Sequence, residues 1–179
     1  MLLVSTGLLA LVGAFILLRP VSNTATFNSS DVMFAQMMLP HHRQAIDMAK
    51  MVLQPGRDSS PELQSMARTI QSQQSSEVTT LENLLRTWRA DAEAGDHSGM
   101  MEGVLSDEEL GQLNSLQGSD FDHAWSLAMM QHHQGAIAMA RDVIETGVNH
   151  RIAVLANDVV AAQGREIREL QQMVKATSN

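Results

Sequence analysis

From residue 31 onward, apolar side chains recur at alternating spacings of three and four, the signature of helices that bury one face. One stripe runs Phe34, Met38, His41, Ala45, Met48, Val52, and another runs Trp125, Met129, His132, Ala136, Met139, Val143. Two more run Leu63, Ala67, Ile70, Gln74, Glu77, Leu81, Leu84, Trp88 and Ile152, Ala156, Val159, Gln163, Glu166, Leu170, Met173. The pattern predicts four amphipathic helices, the first over about 31–53 and the third over about 120–146. Ser60-Pro61-Glu62, a capping residue followed by proline, opens the second. Pro40 falls inside the first, where it frees a carbonyl and favours a kink; its counterpart in the third is Gln131.

The stripes are two copies of one unit. Asp31–Lys50 aligns with Asp122–Arg141 at a constant offset of 91, setting Met38 on Met129 and His41-His42 on His132-His133. Beyond the first helix the offset becomes 89, so that Gln74 meets Gln163 and Glu77 meets Glu166. Identities kept in that order mark a duplicated helical hairpin. The expected architecture is an all-α, ferritin-like four-helix bundle over 31–177. Repeat one covers 31–89, an acidic link 90–119, and repeat two 120–177. The link is long enough to cross the full height of a bundle, and Ser106-Asp107-Glu108-Glu109 is a capping box that predicts a short helix within it. From Ala90 to Ala140 there are nine acidic residues and no Lys or Arg. Asp31 and Asp122 read as caps or first-turn acids of their own helices.

Ahead of the bundle, residues 2–18 carry no charge, and as a helix would span roughly 26 Å, close to a bilayer core. Residues 1–20 therefore read as a signal anchor or signal peptide and 21–30 as a linker. Cleavage is not clearly written: no Lys or Arg precedes the run, and Asn23-Thr24-Ala25 is a mediocre site. The expectation is an extracytoplasmic protein, membrane-anchored if the helix is uncleaved and secreted if it is not. A helix buried in the core and a C-terminus facing the cytoplasm are the alternatives.

Composition narrows the chemistry. The 179 residues suit one ordinary domain, and a net charge of −8 argues against nucleic-acid partners. No cysteine means no disulfide, thiolate zinc site or iron–sulfur cluster, and 3% aromatics leave little for stacking surfaces. Against this stand 13 Met and 7 His. Both His pairs fall near mid-helix, so they are level whether their helices run parallel or antiparallel. Met38 and Met129 lie one turn before His41 and His132, and four residues from His42 and His133. Met48 and Met139 lie two turns beyond. Imidazole with thioether suits Cu(I), or Ag(I) as its mimic. The bland alternative is methionine as core filler and histidine as satisfied core residue, which the duplication of the whole motif disfavours. Gln74, Glu77, Gln163 and Glu166 come level with the histidines, either to hold imidazole N–H groups or to ligate directly. Pairing of the glutamates with Arg43, Arg165 or Arg168 is the other option. His97, Met100 and Met101 in the link are accessory metal candidates, or simply a solvated linker.

These motifs resemble a known family, domain of unknown function (DUF) 305, over residues 31–175. The resemblance is carried by Phe34-x3-Met38-x2-His41-His42-x2-Ala45-Ile46-x-Met48-Ala49 and by Gly118-x2-Phe121-Asp122-x2-Trp125-x3-Met129-x2-His132-His133-x2-Ala136-Ile137-x-Met139-Ala140. Gln74-x2-Glu77 and Gln163-x2-Glu166 add to it. It implies a ferritin-like helical bundle, and since some members are exported copper-binding proteins, Met and His ligands to copper. The expected function is copper buffering, sequestration or delivery by a non-enzymatic metal-binding protein, with an unidentified protein partner only in the case of transfer. A di-metal (Fe/Zn) enzyme using His and Glu, or a bundle without metal, are the competing readings. Glu-x-x-His is absent, which weakens the di-iron option, and the absence of His-Glu-x-x-His excludes a zinc protease.

Overall fold

The computed structural model describes residues 26–92 and 101–177. The apolar run at 2–18, together with His97 and Met100, lies outside the described residues. Five helices follow one another: α1 (Ser29–Val52), α2 (Pro61–Trp88), α3 (Asp107–Ser115), α4 (Gly118–Thr146) and α5 (His150–Thr177). Among the described residues no helix is long and apolar enough to cross a membrane.

Local chemistry sets the helix ends. Asn28 and Asp31 form a capping box at the start of α1, Ser60 caps α2 ahead of Pro61, and the Ser106–Glu109 box starts α3. Pro40 sits on the exposed face of α1, which continues through it to Val52.

α1 pairs with α2 and α4 with α5 as hairpins, and α1 packs against α4. The α1–α4 pair is antiparallel, because Asp31 near the start of α1 meets the end of α4, and Asp122 near the start of α4 meets the end of α1. Asp31 accepts hydrogen bonds from the Val148 and Asn149 amides, and Asp122 from the Ser60 amide at 2.8 Å. These repeat-equivalent aspartates thus tie each helix to the turn of the other hairpin. Asp31 also caps α1 as expected; Asp122 is bonded across the repeat rather than at its own helix end. With α2 ending at the base and α4 starting at the top, the link climbs the whole bundle, as its length implies.

Beyond residue 100 the link lies as a strap over α1 and α4. A Cβ on Gly135 would fall 1.7 Å from the Glu102 carbonyl oxygen, so the strap touches α4 where α4 has no side chain. Gly103, at φ +84°, turns the strap against the backbone of Gln131 and His132. Gln44, the repeat counterpart of Gly135, clamps Leu105 through two hydrogen bonds of 2.8 Å. Higher up, α3 buries Leu113 in the core, and the buried Arg57 guanidinium donates to the Asn114 and Leu116 carbonyls while stacking 4.4 Å over Phe121.

The interior falls into two apolar clusters. The lower contains Phe34, Met38, Leu81, Leu85, Val143, Ile152 and Val159; the upper contains Met48, Val52, Leu63, Ile70, Phe121, Trp125, Met129 and Leu170. Each such side chain contributes about 1.5–3 kcal/mol on burial. Between the clusters the packing is polar.

Candidate metal centre

The polar layer is built twice over. His41 and His42 on α1 face Gln74 and Glu77 on α2, while His132 and His133 on α4 face Gln163 and Glu166 on α5. All four imidazoles are completely buried, with Gln74 and Gln163 nearly so. The His41 and His132 rings meet across the α1–α4 contact with centroids 3.9 Å apart and planes tilted by 46°. The outer imidazoles each reach a carboxylate: His42 Nε2 lies 2.6 Å from Glu77 Oε2, and His133 Nε2 lies 2.7 Å from Glu166 Oε2. These are repeat-equivalent pairs. Arg43 binds Glu82 instead, and Arg165 bonds the Ala161 carbonyl, so the arginine pairing considered from sequence is not adopted.

A carboxylate close to Nε2 favours the tautomer with the proton on that nitrogen, which leaves a lone pair on Nδ1, although neither Nε2 meets hydrogen-bond geometry with its glutamate. Within the layer that lone pair has no taker. Nδ1 of His41, His42, His132 and His133, Nε2 of His132, both amide atoms of Gln74 and Oε1 of Gln163 lack a hydrogen-bond partner. His41 Nε2 lies 3.3 Å from the Glu102 carbonyl of the strap. Unpaired buried polar groups cost about 1–3 kcal/mol each, so a duplicated layer of them is not an efficient core.

Burial decides protonation at the inner pair. His41 is pushed down to about 3, first by desolvation and then by the neighbouring His42, against a smaller opposing effect of the Glu102 carbonyl. His132 is held well below its usual value by the same loss of water, then by His41, His133 and His42. Both rings therefore stay neutral, the form that binds metal.

The methionines divide by distance. Met38 and Met129 are fully buried one turn from the histidines, Met38 in the lower cluster and Met129 in the upper, and so flank the layer from opposite sides. Met48 and Met139 stand seven residues beyond His41 and His132, roughly 10 Å along the helix axis. Met48 is buried in the upper cluster, its carbonyl accepting from Trp125 Nε1 at 2.9 Å, and Met139 is partly buried beside the lower one. Met101 is partly buried next to Glu102. Among the described residues no three His, Asp or Glu side chains already form a metal cage. Imidazoles flanked along their helices by thioethers are soft donors, of the kind that suits Cu(I) or Ag(I) rather than a hard ion.

Solvent approaches from the opposite side of the strap. α2 and α5 leave a cleft of about 680 Å³ lined by Gln73, Glu77, Thr80, Asp158 and Arg165. Glu166 lines a smaller one of about 140 Å³ with Met66 and Glu169. The two carboxylates thus stand between water and the imidazoles they bind.

Sequence reasoning missed the Glu102 carbonyl and Gly135. A glycine in the middle of α4, directly after His132-His133-Gln134, is the signal that marks the strap's contact.

Comparison with known proteins bears on this geometry. The profile of the domain of unknown function DUF305 matches residues 31–174. A predicted secreted DUF305 protein from Streptomyces coelicolor is similar in structure, with a TM-score of 0.78 and 26% identity, over 84% of this chain and 94% of that one. A DUF305 fragment from Deinococcus radiodurans gives a TM-score of 0.74 and 28% identity, over 83% and 97%. CopM in its Cu(I)-bound form gives 0.70 and 30%, over 82% and 96%, and CopM has also been solved with Cu(II) and with Ag. No curated protein matches the chain.

Proposed function

The chain belongs to the DUF305 family, and from that membership and its buried imidazole layer we propose an extracytoplasmic protein that binds Cu(I), or Ag(I), as cargo. The observation that carries this reading is the set of four buried, partnerless Nδ1 atoms, two on rings in contact at 3.9 Å. Met38, His41, His42, Met129, His132 and His133 are the inner ligand candidates, with Met48 and Met139 further along the same stripes. Glu77 and Glu166 orient the outer imidazoles, and Gln74 and Gln163 bring unpaired polar atoms to the same level. The structures of CopM with Cu(I), Cu(II) and Ag support copper as the metal. The apolar run at 2–18 and the likeness to the Streptomyces coelicolor protein support export. Buffering, sequestration or handover to a partner protein are the roles such a site serves.

Anaerobic titration with Cu(I), Zn(II) and Fe(II) against a competing chelator tests the reading. Replacing His41, His42, His132 and His133 by Ala abolishes tight Cu(I) binding while helicity by circular dichroism persists. Unchanged copper stoichiometry in the folded variant contradicts the site. Met38→Leu with Met129→Leu keeps core volume, and is expected to weaken Cu(I) and shift preference toward Zn(II) or Cu(II).

A further inference from the structure

The duplication breaks at one place, and the break is made of methionine. On the strap side of the α1–α4 pair, the upper half is sealed by α3. Leu110, Leu113 and Leu116 lie in the upper cluster with Ala124 and Ala128 of α4. The repeat counterparts of those two alanines, at the offset of 91, are Met33 and Met37 on α1 in the lower half. Among the described residues, no helix equivalent to α3 covers the seam there. A pocket of about 340 Å³ opens instead, lined by Met33, Met37 and Met139 with Glu102 and Asp142. Met33 is 50% exposed, and Met37 and Met139 are partly buried.

Core filling does not account for this arrangement. Where the seam is sealed the chain uses alanine; where it is open it places long, unbranched thioethers, Met33 half in water and Met37 and Met139 partly buried. Met33 and Met37 are one turn apart on α1 and face Met139 across the seam. The three share one cavity, with two carboxylate residues in its lining to balance a cation's charge. The cavity also abuts the imidazole layer, because Glu102 lines it through the same residue whose carbonyl meets His41.

We infer that Met33, Met37 and Met139 form a second, surface thioether site for Cu(I), separate from the buried layer and leading to it through the Glu102 segment. Three neutral sulfur donors lining a surface pocket hold a soft monovalent ion less firmly than buried imidazoles do. They suit capture and passage inward. Met139 belongs to this site by position, two turns from His132. The inference deepens the copper reading, on which it rests.

The test uses the intact chain labelled with methyl-¹³C methionine and titrated with Ag(I), a redox-inert stand-in. The Met33, Met37 and Met139 methyl resonances are expected to shift together, in the parent and in a His41→Ala, His132→Ala variant alike. Met33→Leu, Met37→Leu is expected to lose one Ag(I) equivalent while the buried layer still fills; Met33→Leu alone, at a half-exposed position, perturbs the trio without threatening the fold. Silent trio resonances while other methionines shift overturn the surface site and leave the buried one standing. Trio shifts that vanish in the histidine variant also overturn it as a separate site. If the histidine variant binds as much metal as the parent while the trio still shifts, the buried site fails and the surface site stands.

Discussion

At the scale of single residues, the inner histidines govern how the protein responds to acid. Unfolded, His41 and His132 take up protons near pH 6.5; folded, His41 does so only at about 3, and His132 well below its usual value. The unfolded chain thus binds more protons throughout this window. Stability is complete above pH 6.5 and falls as pH drops, by about 1.4 kcal/mol per unit for each ring. Urea denaturation of the metal-free protein is expected to show lower stability at pH 5 than at pH 7. A flat profile would mean that the rings are hydrated or paired. The same depression changes the expectation for copper. Histidines with ordinary pKa values would lose metal steeply between pH 7 and 5, whereas rings kept neutral by burial compete poorly for protons. Cu(I) affinity of the folded protein should therefore decline only shallowly over that range, measured by chelator competition.

At the scale of elements, the strap and α4 depend on one missing side chain. Gly135→Ala would gain helix propensity of up to about 1 kcal/mol but would drive a methyl into the Glu102 carbonyl. Displacement of the strap is the expected outcome, seen as faster proteolysis near Glu102 and a lower melting temperature. Gln44→Ala, which removes both hydrogen bonds to Leu105, should loosen the same segment by about 1–2 kcal/mol. A melting temperature at or above that of the parent in Gly135→Ala would show that the contact is not binding the strap. The stripes and caps of α1, α2 and α4 were legible in sequence because each rests on local spacing. The strap contact was not, because it depends on where the carbonyl of Glu102, 33 residues before Gly135 in the chain, comes to rest. Only the mid-helix glycine hinted at it. Arg57 was equally silent: its guanidinium bonds Met51 and Gln54 at the end of α1 and Asn114 and Leu116 at the end of α3, far apart in sequence.

At the scale of the whole molecule, duplication made the architecture readable. An offset of 91 placed His41-His42 on His132-His133, one of 89 placed Glu77 on Glu166, and the length of the link implied a climb from base to top. Direction was the open question, since histidines at mid-helix are level in either sense. The structure answers it through Asp31 and Asp122, each bonded to the other hairpin's turn. Antiparallel packing is also what sets Met38 and Met129 on opposite sides of the layer. A chain begun at Thr26 is expected to keep a cooperative melt, because the described core runs from there. Thr26 itself accepts a hydrogen bond from Asn149, and Phe27 stacks on Trp88 at 4.8 Å. Aggregation of that shortened chain would show that the first 25 residues contribute to the fold.

The central claim is that buried imidazoles hold the metal, and X-ray absorption at the copper edge reads the donors directly. The measurement is made on the protein loaded anaerobically with one equivalent of Cu(I). Imidazole multiple scattering together with a thioether sulfur shell is the predicted result. A sulfur-only shell with no imidazole contribution would contradict the claim.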